Sequence, residues 1–139
     1  MITATWVGRE EFRVGFEGGE TLTLASVPRA ERPGPGPSPV DTVLAALAAC
    51  TGIDVVLILE KMRKTVSSLH VDVSGERREE HPRIFTTITL VYRVDGPDLT
   101  EDAVRRAVTL SQETYCSVSG MLQTSAAFQV RIALNGREI

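Results

Sequence analysis

One stretch decides the fold: SPVDTVLAALAACTGIDVVLILEKMRK, residues 38–64. It begins with the signals of a helix N-terminus, because Ser38 suits the N-cap and Pro39 suits the first helical position. Asp41 follows at the third position and completes a capping box with Asp in place of Glu. The sequence therefore predicts a helix of about 25 residues, roughly 38 Å long, that ends near Lys64.

The first half of this helix is apolar on every side. Small residues predominate between Val43 and Gly52, and a helix that is apolar all round is buried all round. Small residues four positions apart share a face and let another backbone approach closely, and the pairs are Ala45 with Ala49 and Ala48 with Gly52. A chain of this length has few elements to cover such a helix, so the sequence predicts a second subunit against it.

The segments on both sides of the helix are predicted to be mainly strands. Alternating apolar residues predict three strands before it, with a turn at Gly18-Gly19, and a Pro/Gly-rich loop over residues 26–39. Two strands, two helices and a final strand follow; the first of these helices is capped by Thr100 and its inner stripe runs to Tyr115. The order βββ-α-ββ-αα-β predicts an α+β fold with a segregated antiparallel sheet, in one domain over residues 1–139.

Composition argues against several classes of function. The 139 residues carry 15 Lys and Arg against 18 Asp and Glu, a net charge of −3, which argues against a nucleic-acid binder. No stretch approaches the roughly 20 apolar residues that span a bilayer, and residues 1–11 lack the apolar core of a secretory signal. We therefore expect a cytoplasmic protein without membrane contact, whose two cysteines are not a disulfide framework.

Cys50 and Cys116 are the two cysteines of the chain. Both suit the role of small buried hydrophobes, since free cysteine is among the most buried residue types. Two features favour reactivity instead. Cys116 lies at or near the start of a short helix, where backbone N–H groups stabilise a thiolate. Cys50 lies in a run of Ala and Gly that leaves its sulfur sterically open if the helix borders a cavity. The residues alone leave both interpretations open.

The sequences around the two cysteines resemble one family. Residues 38–64 are similar to the central helix of the OsmC/Ohr family of thiol-dependent peroxidases. AVTLSQETYCSVSGML, residues 107–122, is similar to the family's second cysteine motif, and ERREEHPRIFT, residues 76–86, resembles its YhfA-like branch. The resemblance implies the OsmC-like fold, with antiparallel sheets, a long central helix and an intertwined homodimer.

The resemblance also implies a reaction. In the peroxidase members the first cysteine attacks an organic hydroperoxide and becomes a sulfenic acid. The second cysteine condenses with it to a disulfide, which an external dithiol reduces. Cys50 would then be the peroxidatic residue and Cys116 the resolving one, in oxidative or osmotic stress defence. The implied partners are a second subunit, a small hydroperoxide and a dithiol reductant, and no metal, flavin or haem is implied.

The peroxidase members hold an Arg near the first cysteine with a Glu, because rapid attack needs a thiolate. Their Glu lies ten residues before that cysteine, where this chain has Val40; the neighbouring carboxylate is Asp41, as in the YhfA-like branch. Asp41 has a second explanation as a helix-capping residue. The candidate cations are Arg9, Arg29 and Arg32, and the last two lie in the loop before the helix, where a solvated charge is also expected.

Other functions stay open at this point. Without an activated thiol, the same scaffold would serve as a non-catalytic redox sensor or as a binding protein for a small apolar ligand, and a structural dimer would use both cysteines for packing. A Cys–His hydrolase would need His70 or His81 beside Cys50, and no motif places either there. The two cysteines and two histidines lack zinc-site spacing. The charged segment Glu76 to Arg83 predicts a solvated hairpin tip or a partner contact.

Overall fold

A computed structural model describes residues 1–26 and 36–139 of the chain. These residues form two compact units, Met1–Val43 and Leu44–Ile139. Much of the predicted Pro/Gly-rich loop lies outside the described residues. The prediction of one domain over the whole chain stays a prediction.

The first unit contains a three-stranded antiparallel meander, as the alternation of apolar residues predicted. A tight turn joins its second and third strands, and Gly19 in that turn has a φ of 95°, in the left-handed region that favours glycine. The strands are β1 (Thr3–Gly8), β2 (Glu11–Gly15) and β3 (Thr21–Ala25).

Helix α1 (Pro39–Lys61) begins where the sequence predicted. Ser38 caps it, because the Ser38 Oγ accepts a hydrogen bond from the Asp41 N–H at 3.0 Å. The helix ends slightly earlier than predicted, and Arg63 just beyond it has a φ of 59°, a left-handed conformation that is common after helix ends. The predicted N-terminal cap is thus confirmed.

One side of α1 is buried and the other is exposed. The buried residues recur at every fourth position, and they are Leu47, Thr51, Val55 and Leu59. The opposite stripe contains Ala49, Ile53 and Leu57, and the side chains of Ile53 and Leu57 are 61% and 50% exposed. Within one chain, therefore, the helix keeps an uncovered apolar face.

By length and composition α1 is able to cross a bilayer, and the expectation that no stretch approaches that length was wrong. An 18-residue window within its 23 residues reaches a mean hydropathy of 2.3. The reason is that Asp41 and Asp54 are the only charged residues from Pro39 to Leu59. The core helix of a soluble protein has the same properties, so the length and hydropathy are weak evidence for a membrane span.

The second unit contains a four-stranded sheet in the order β4-β5-β6-β7. β4 (Ser68–Arg77) and β5 (Phe85–Asp95) form the predicted antiparallel hairpin. β6 (Ala127–Leu134) pairs with β5 in parallel, so the expectation of a wholly antiparallel sheet was wrong for this ladder. The helices between these two strands supply the crossover that parallel neighbours need. A short strand that the sequence did not predict, β7 (Arg137–Glu138), pairs with β6.

Two helices lie between β5 and β6. α2 (Glu101–Leu110) is capped by the Thr100 side chain, as predicted. Its inner stripe was predicted to reach Tyr115, but the chain continues from Ser111 to Tyr115 as a π-helical turn and the Tyr115 side chain is 60% exposed. Such turns are frequent at functional sites. α3 (Ser117–Leu122) follows as a separate short helix, as predicted.

The uncovered face of α1 meets β4 at an open apolar groove of about 520 Å³, which we name the α1 groove. Its surface is mostly apolar. The groove is lined by Ala48, Ala49, Gly52, Ile53, Val56 and Leu57 of α1 and by Leu69 and Val71 of β4.

Buried hydroxyl groups tie α1 to the rest of the second unit. The Thr51 Oγ1 lies 2.7 Å from the Tyr92 hydroxyl on β5 and 2.8 Å from the Ser111 Oγ in the π-helical turn. The Gln112 Nε2 donates to the Tyr92 hydroxyl at 2.9 Å. Burial raises the pKa of Tyr92, so its hydroxyl stays protonated. Because buried polar groups need partners, this hydroxyl network fixes α1 against β5 and the turn.

Replacing Thr51 with Val keeps the shape of the side chain and removes its hydroxyl. Tyr92 and Ser111 each lose a partner in a buried place, so we expect the free energy of unfolding to fall by about 1–3 kcal/mol. Thr109→Val, the same change at an exposed position of α2, should alter it by less than about 0.5 kcal/mol. Urea denaturation measures both, and equal losses would show that the network does not hold the helix.

Candidate active site

The structure places the two cysteines in the surroundings that the sequence predicted. Cys50 is half-buried in the small-residue part of α1, and Thr51 of the hydroxyl network is the next residue. Cys116 is buried and is the N-cap residue of α3. Both thiols are free. The backbone of each cysteine is therefore held by a helix, which is α1 for Cys50 and the start of α3 for Cys116.

The fold brings the two cysteines together. They are 66 residues apart in sequence (116 − 50). Both Sγ atoms and a carboxylate oxygen of Asp54 nevertheless lie within 4.8 Å of one another. Asp54 follows Cys50 by one helical turn, so the two side chains share a face of α1. We name these three residues the cysteine cluster. An atom placed between their side chains would be close to both sulfurs.

Backbone N–H groups at the start of α3 contact both sulfurs. The Ser119 N–H donates to the Cys116 Sγ at 3.4 Å, and the Val118 N–H donates to the Cys50 Sγ. The Cys116 N–H donates to the carbonyl oxygen of Ser111 at 2.7 Å, which holds the turn in place. Because an N–H donor favours negative charge on its acceptor, the Val118 contact favours the thiolate form of Cys50 and lowers its pKa.

The other surroundings of Cys50 act in the opposite direction and raise the pKa of its thiol. Burial is the largest cause, the contact with the Cys116 thiol is the next, and the negative charge of Asp54 adds to both. The Val118 N–H lowers this pKa without reversing the shift. In these surroundings Cys50 is a protonated thiol at neutral pH, so a nearby cation is needed to make it a strong nucleophile.

Asp54 is the residue that the interpretation of the sequence missed. Its Oδ2 accepts a hydrogen bond from the Ser111 Oγ at 3.0 Å, which joins the cluster to the hydroxyl network. A signal was present in the sequence, because Asp54 is a lone carboxylate one turn after Cys50 within an apolar stretch. Charged residues are seldom placed on such a helix without a partner, so this position marks a candidate site.

A second groove, of about 390 Å³, opens at Asp54, and we name it the Asp54 groove. Most of its lining side chains are apolar, while Lys61 and Arg106 bring positive charge to it. A cleft of this size and polarity suits a small organic ligand beside the cluster. It is lined by Asp54, Leu57, Ile58, Lys61, Met62, Arg106, Leu110 and Tyr115.

Of the predicted supporting residues, the structure describes Asp41 and Arg9. Arg9 lies in the turn between β1 and β2 of the first unit. Asp41 lies in the first turn of α1, where the Ser38 Oγ accepts its backbone N–H. The carboxylate of the cysteine cluster is that of Asp54. Arg29 and Arg32 lie outside the described residues. The predicted role of Asp41 and of the three candidate arginines in activating Cys50 thus stays a prediction.

Neither histidine belongs to the cysteine cluster in the described part of the chain. His70 lies on β4 and His81 in the segment that follows it, and both are exposed. A Cys–His hydrolase site is therefore not formed among residues 1–26 and 36–139. The side chains placed to hold a metal ion are those of the cysteine cluster itself, two thiols and one carboxylate.

Comparison with known proteins identifies the family of this chain. The sequence model of the OsmC-like protein family matches residues 32–131, which is well over half of the chain. Protein YhfA of Escherichia coli (strain K12) is 53% identical over 87 residues, which are 63% of this chain and 65% of that protein. The match therefore spans somewhat less than two thirds of the length of YhfA.

Solved structures share the fold. The OsmC-like protein from Mycoplasma pneumoniae is similar with a TM-score of 0.84 and 20% identity, over 96% of this chain and 95% of that one. An organic hydroperoxide resistance protein OsmC from Legionella pneumophila is similar with a TM-score of 0.72 and 15% identity, over 96% of each chain. These two likenesses show the α+β fold. The match over residues 32–131, which is more than half of the chain, shows that this chain belongs to the OsmC/Ohr family.

Proposed function

We propose that this protein reduces organic hydroperoxides through Cys50, with Cys116 as the resolving cysteine. The cysteine cluster carries the proposal, since two free thiols from distant parts of the chain lie within 4.8 Å of each other. Membership of the OsmC/Ohr family supports a peroxide substrate, and the name of the Legionella relative, an organic hydroperoxide resistance protein, supports its class.

The proposed reaction has two steps on the protein. The Cys50 thiolate attacks the terminal oxygen of the hydroperoxide, the O–O bond breaks, and the alkoxide leaves as an alcohol after it takes a proton. Cys50 is then a sulfenic acid. The Cys116 sulfur attacks the sulfenic sulfur, and the hydroxyl group leaves as water with the thiol proton. An external dithiol reduces the disulfide, so the two electrons that reach the peroxide come from that dithiol.

The exposure of the two cysteines supports this order of events. Cys50 is half-buried and lies within 4.8 Å of the Asp54 carboxylate, at which the Asp54 groove opens to admit an organic hydroperoxide. Cys116 is 4% exposed, so a bulky peroxide reaches it less readily, while an oxidised Cys50 is already beside it. The Val118 N–H favours negative charge on the Cys50 sulfur, and the Ser119 N–H donates to the Cys116 Sγ.

Rapid reaction requires a cation near Cys50. Among the described residues, the groups that shift the pKa of Cys50 are Cys116, Val118 and Asp54, and none of them is a cation. Arg29 and Arg32 are the proposed sources of that charge, with Asp41 as the carboxylate that orients one of them. A positive charge within about 4–6 Å of the sulfur would lower the thiol pKa and oppose the effect of Asp54.

We further propose a cytoplasmic homodimer in which α1 packs against its copy in a second subunit. The α1 groove and its exposed Ile53 and Leu57 support this arrangement, because an identical helix would cover the apolar surface. Each Å² of apolar surface removed from water stabilises the dimer by about 25 cal/mol. Small residues such as Ala45 and Ala49 let the two backbones approach closely.

A non-catalytic redox sensor or small-ligand-binding protein is the second candidate, and the raised pKa of Cys50 favours it. A protonated thiol reacts slowly with peroxides. The same two cysteines would then form a disulfide on prolonged exposure to oxidant, without turnover, and the Asp54 groove would bind an apolar ligand.

One equivalent of cumene hydroperoxide should convert the reduced protein into a form lighter by two hydrogen atoms per chain. Peptide mass spectrometry should find Cys50 joined to Cys116. Cys50→Ser should abolish turnover with a dithiol, while Cys116→Ser should leave a sulfenic acid that dimedone traps at Cys50. Unmodified thiols after the reaction, or full turnover in both variants, would contradict the assigned roles.

The pH dependence of alkylation separates the two candidates. With the raised pKa that the described groups produce, the rate of Cys50 carboxamidomethylation should still rise about tenfold per pH unit near pH 8, because the thiolate fraction does so below the pKa. Iodoacetamide labelling followed by peptide mapping measures it. A plateau below about pH 7.5 would instead reveal a cation that supports the peroxidase, and Arg29→Gln and Arg32→Gln would then identify it.

Ile53→Asp should dissociate the proposed dimer, because it would bury an unpaired carboxylate between two copies of α1. Size-exclusion chromatography with light scattering should give a dimer for the unmodified chain and a monomer for this variant. Thr109→Asp, which adds the same charge at an exposed position of α2, should remain dimeric. A monomeric unmodified chain, or a dimer unaffected by Asp at position 53, would refute the arrangement.

A further inference from the structure

The cysteine cluster is also a compact set of metal-binding atoms. Two sulfur atoms and one carboxylate oxygen lie within 4.8 Å of one another. Around a tetrahedral zinc ion, with Zn–S bonds of about 2.3 Å and Zn–O bonds of about 2.1 Å, such atoms lie roughly 3.6–3.8 Å apart. A movement of about 1 Å or less by the side chains therefore closes the cluster around an ion.

Each donor in the cluster already has an outer hydrogen-bond partner that orients it. The Cys116 Sγ accepts the Ser119 N–H, and the Cys50 Sγ accepts the Val118 N–H. The Asp54 Oδ2 accepts the Ser111 hydroxyl at 3.0 Å. Metal-binding side chains in proteins are typically held by outer contacts of this kind, which lower the cost of arranging them around an ion. This second observation distinguishes the cluster from a chance grouping of acidic and sulfur-containing side chains.

We propose that the reduced protein binds one thiophilic divalent cation, such as Zn²⁺, through Cys50 Sγ, Cys116 Sγ and the Asp54 carboxylate. Two sulfur donors favour zinc over hard cations such as Mg²⁺. The two thiols release their protons to solvent, two metal–sulfur bonds form, and no electron is transferred. Three protein ligands leave the fourth position for a water molecule.

Metal binding and thiol chemistry exclude each other at this site. A sulfur bound to the cation is no longer free to attack a peroxide, and a disulfide offers no thiolate to the cation. The bound ion therefore protects Cys50 and Cys116 from oxidation, and formation of the disulfide expels it. This property goes beyond the proposed function, since it belongs to the reduced protein and needs no hydroperoxide.

The test uses the full-length reduced protein without peroxide. Titration with Co²⁺ should saturate at one equivalent per chain, with a sulfur-to-cobalt charge-transfer band and the intense visible bands of a four-coordinate ion. Zn²⁺ should displace the cobalt and slow the alkylation of both cysteines. The unmodified chain serves for these measurements, so they stand even if a cysteine variant fails to fold.

Variants assign the ligands. Cys50→Ser and Cys116→Ser should each weaken Zn²⁺ binding by at least about 100-fold and reduce the charge-transfer band. Asp54→Asn should weaken binding about 10–100-fold and keep that band, and Ser111→Ala should weaken it about tenfold through the outer contact. Asp72→Asn, which alters an exposed carboxylate paired with Arg93, should leave the affinity unchanged.

Three results would overturn the proposal. They are a cobalt spectrum without sulfur bands, unchanged affinity in both cysteine variants, and an effect of Asp54→Asn no larger than that of Asp72→Asn. The first two would identify an adventitious surface site, and the third would remove Asp54 from the ligand set. Failure of peroxide turnover is a separate result, since no step of this experiment involves a peroxide.

Discussion

The hydroxyl of Thr51 is the contact on which the candidate site depends. It lies between two other buried hydroxyls, at 2.7 Å from that of Tyr92 and 2.8 Å from that of Ser111. Thr51 is also the residue after Cys50 and one turn of helix from Asp54. This one side chain therefore links α1 at the cluster to both β5 and the π-helical turn that precedes Cys116.

The hydroxyl network has only one consistent direction of donation. Each hydroxyl has one proton to donate. Because the Ser111 proton goes to the Asp54 carboxylate, Thr51 has to donate to Ser111 and Tyr92 has to donate to Thr51. The Tyr92 oxygen is then left as an acceptor, and the Gln112 Nε2 donates to it at 2.9 Å. The chain of hydrogen bonds therefore runs from Gln112 to Tyr92, Thr51 and Ser111 and ends on the Asp54 carboxylate.

The fold was predictable where local rules decide it. Ser38 and Thr100 cap the helices that they were expected to cap. The alternation of apolar and polar residues located the strands. The parallel pairing of β5 with β6 was not predictable in this way, because alternation reports which face of a strand is buried and not the direction of its neighbour. The π-helical turn was missed for a similar reason, since the apolar spacing that led toward Tyr115 is compatible with a continuous helix.

The sequence predicted the two sulfurs of the site but not its carboxylate. The motifs around Cys50 and Cys116 identified both sulfurs, but only the three-dimensional structure places Asp54 within 4.8 Å of them. Burial is the largest cause that raises the pKa of Cys50, and the Asp54 carboxylate adds to it, so both oppose the thiolate that peroxide reduction needs. A cation resolves the conflict, because it compensates the charge of Asp54 and stabilises thiolate at the same time. An arginine side chain would leave the sulfur free to react, whereas a metal ion bonded to it would not. The half-buried charge of Asp54 therefore explains why the proposed enzyme needs a cation beside Cys50, and the same carboxylate is the oxygen ligand of the proposed metal site.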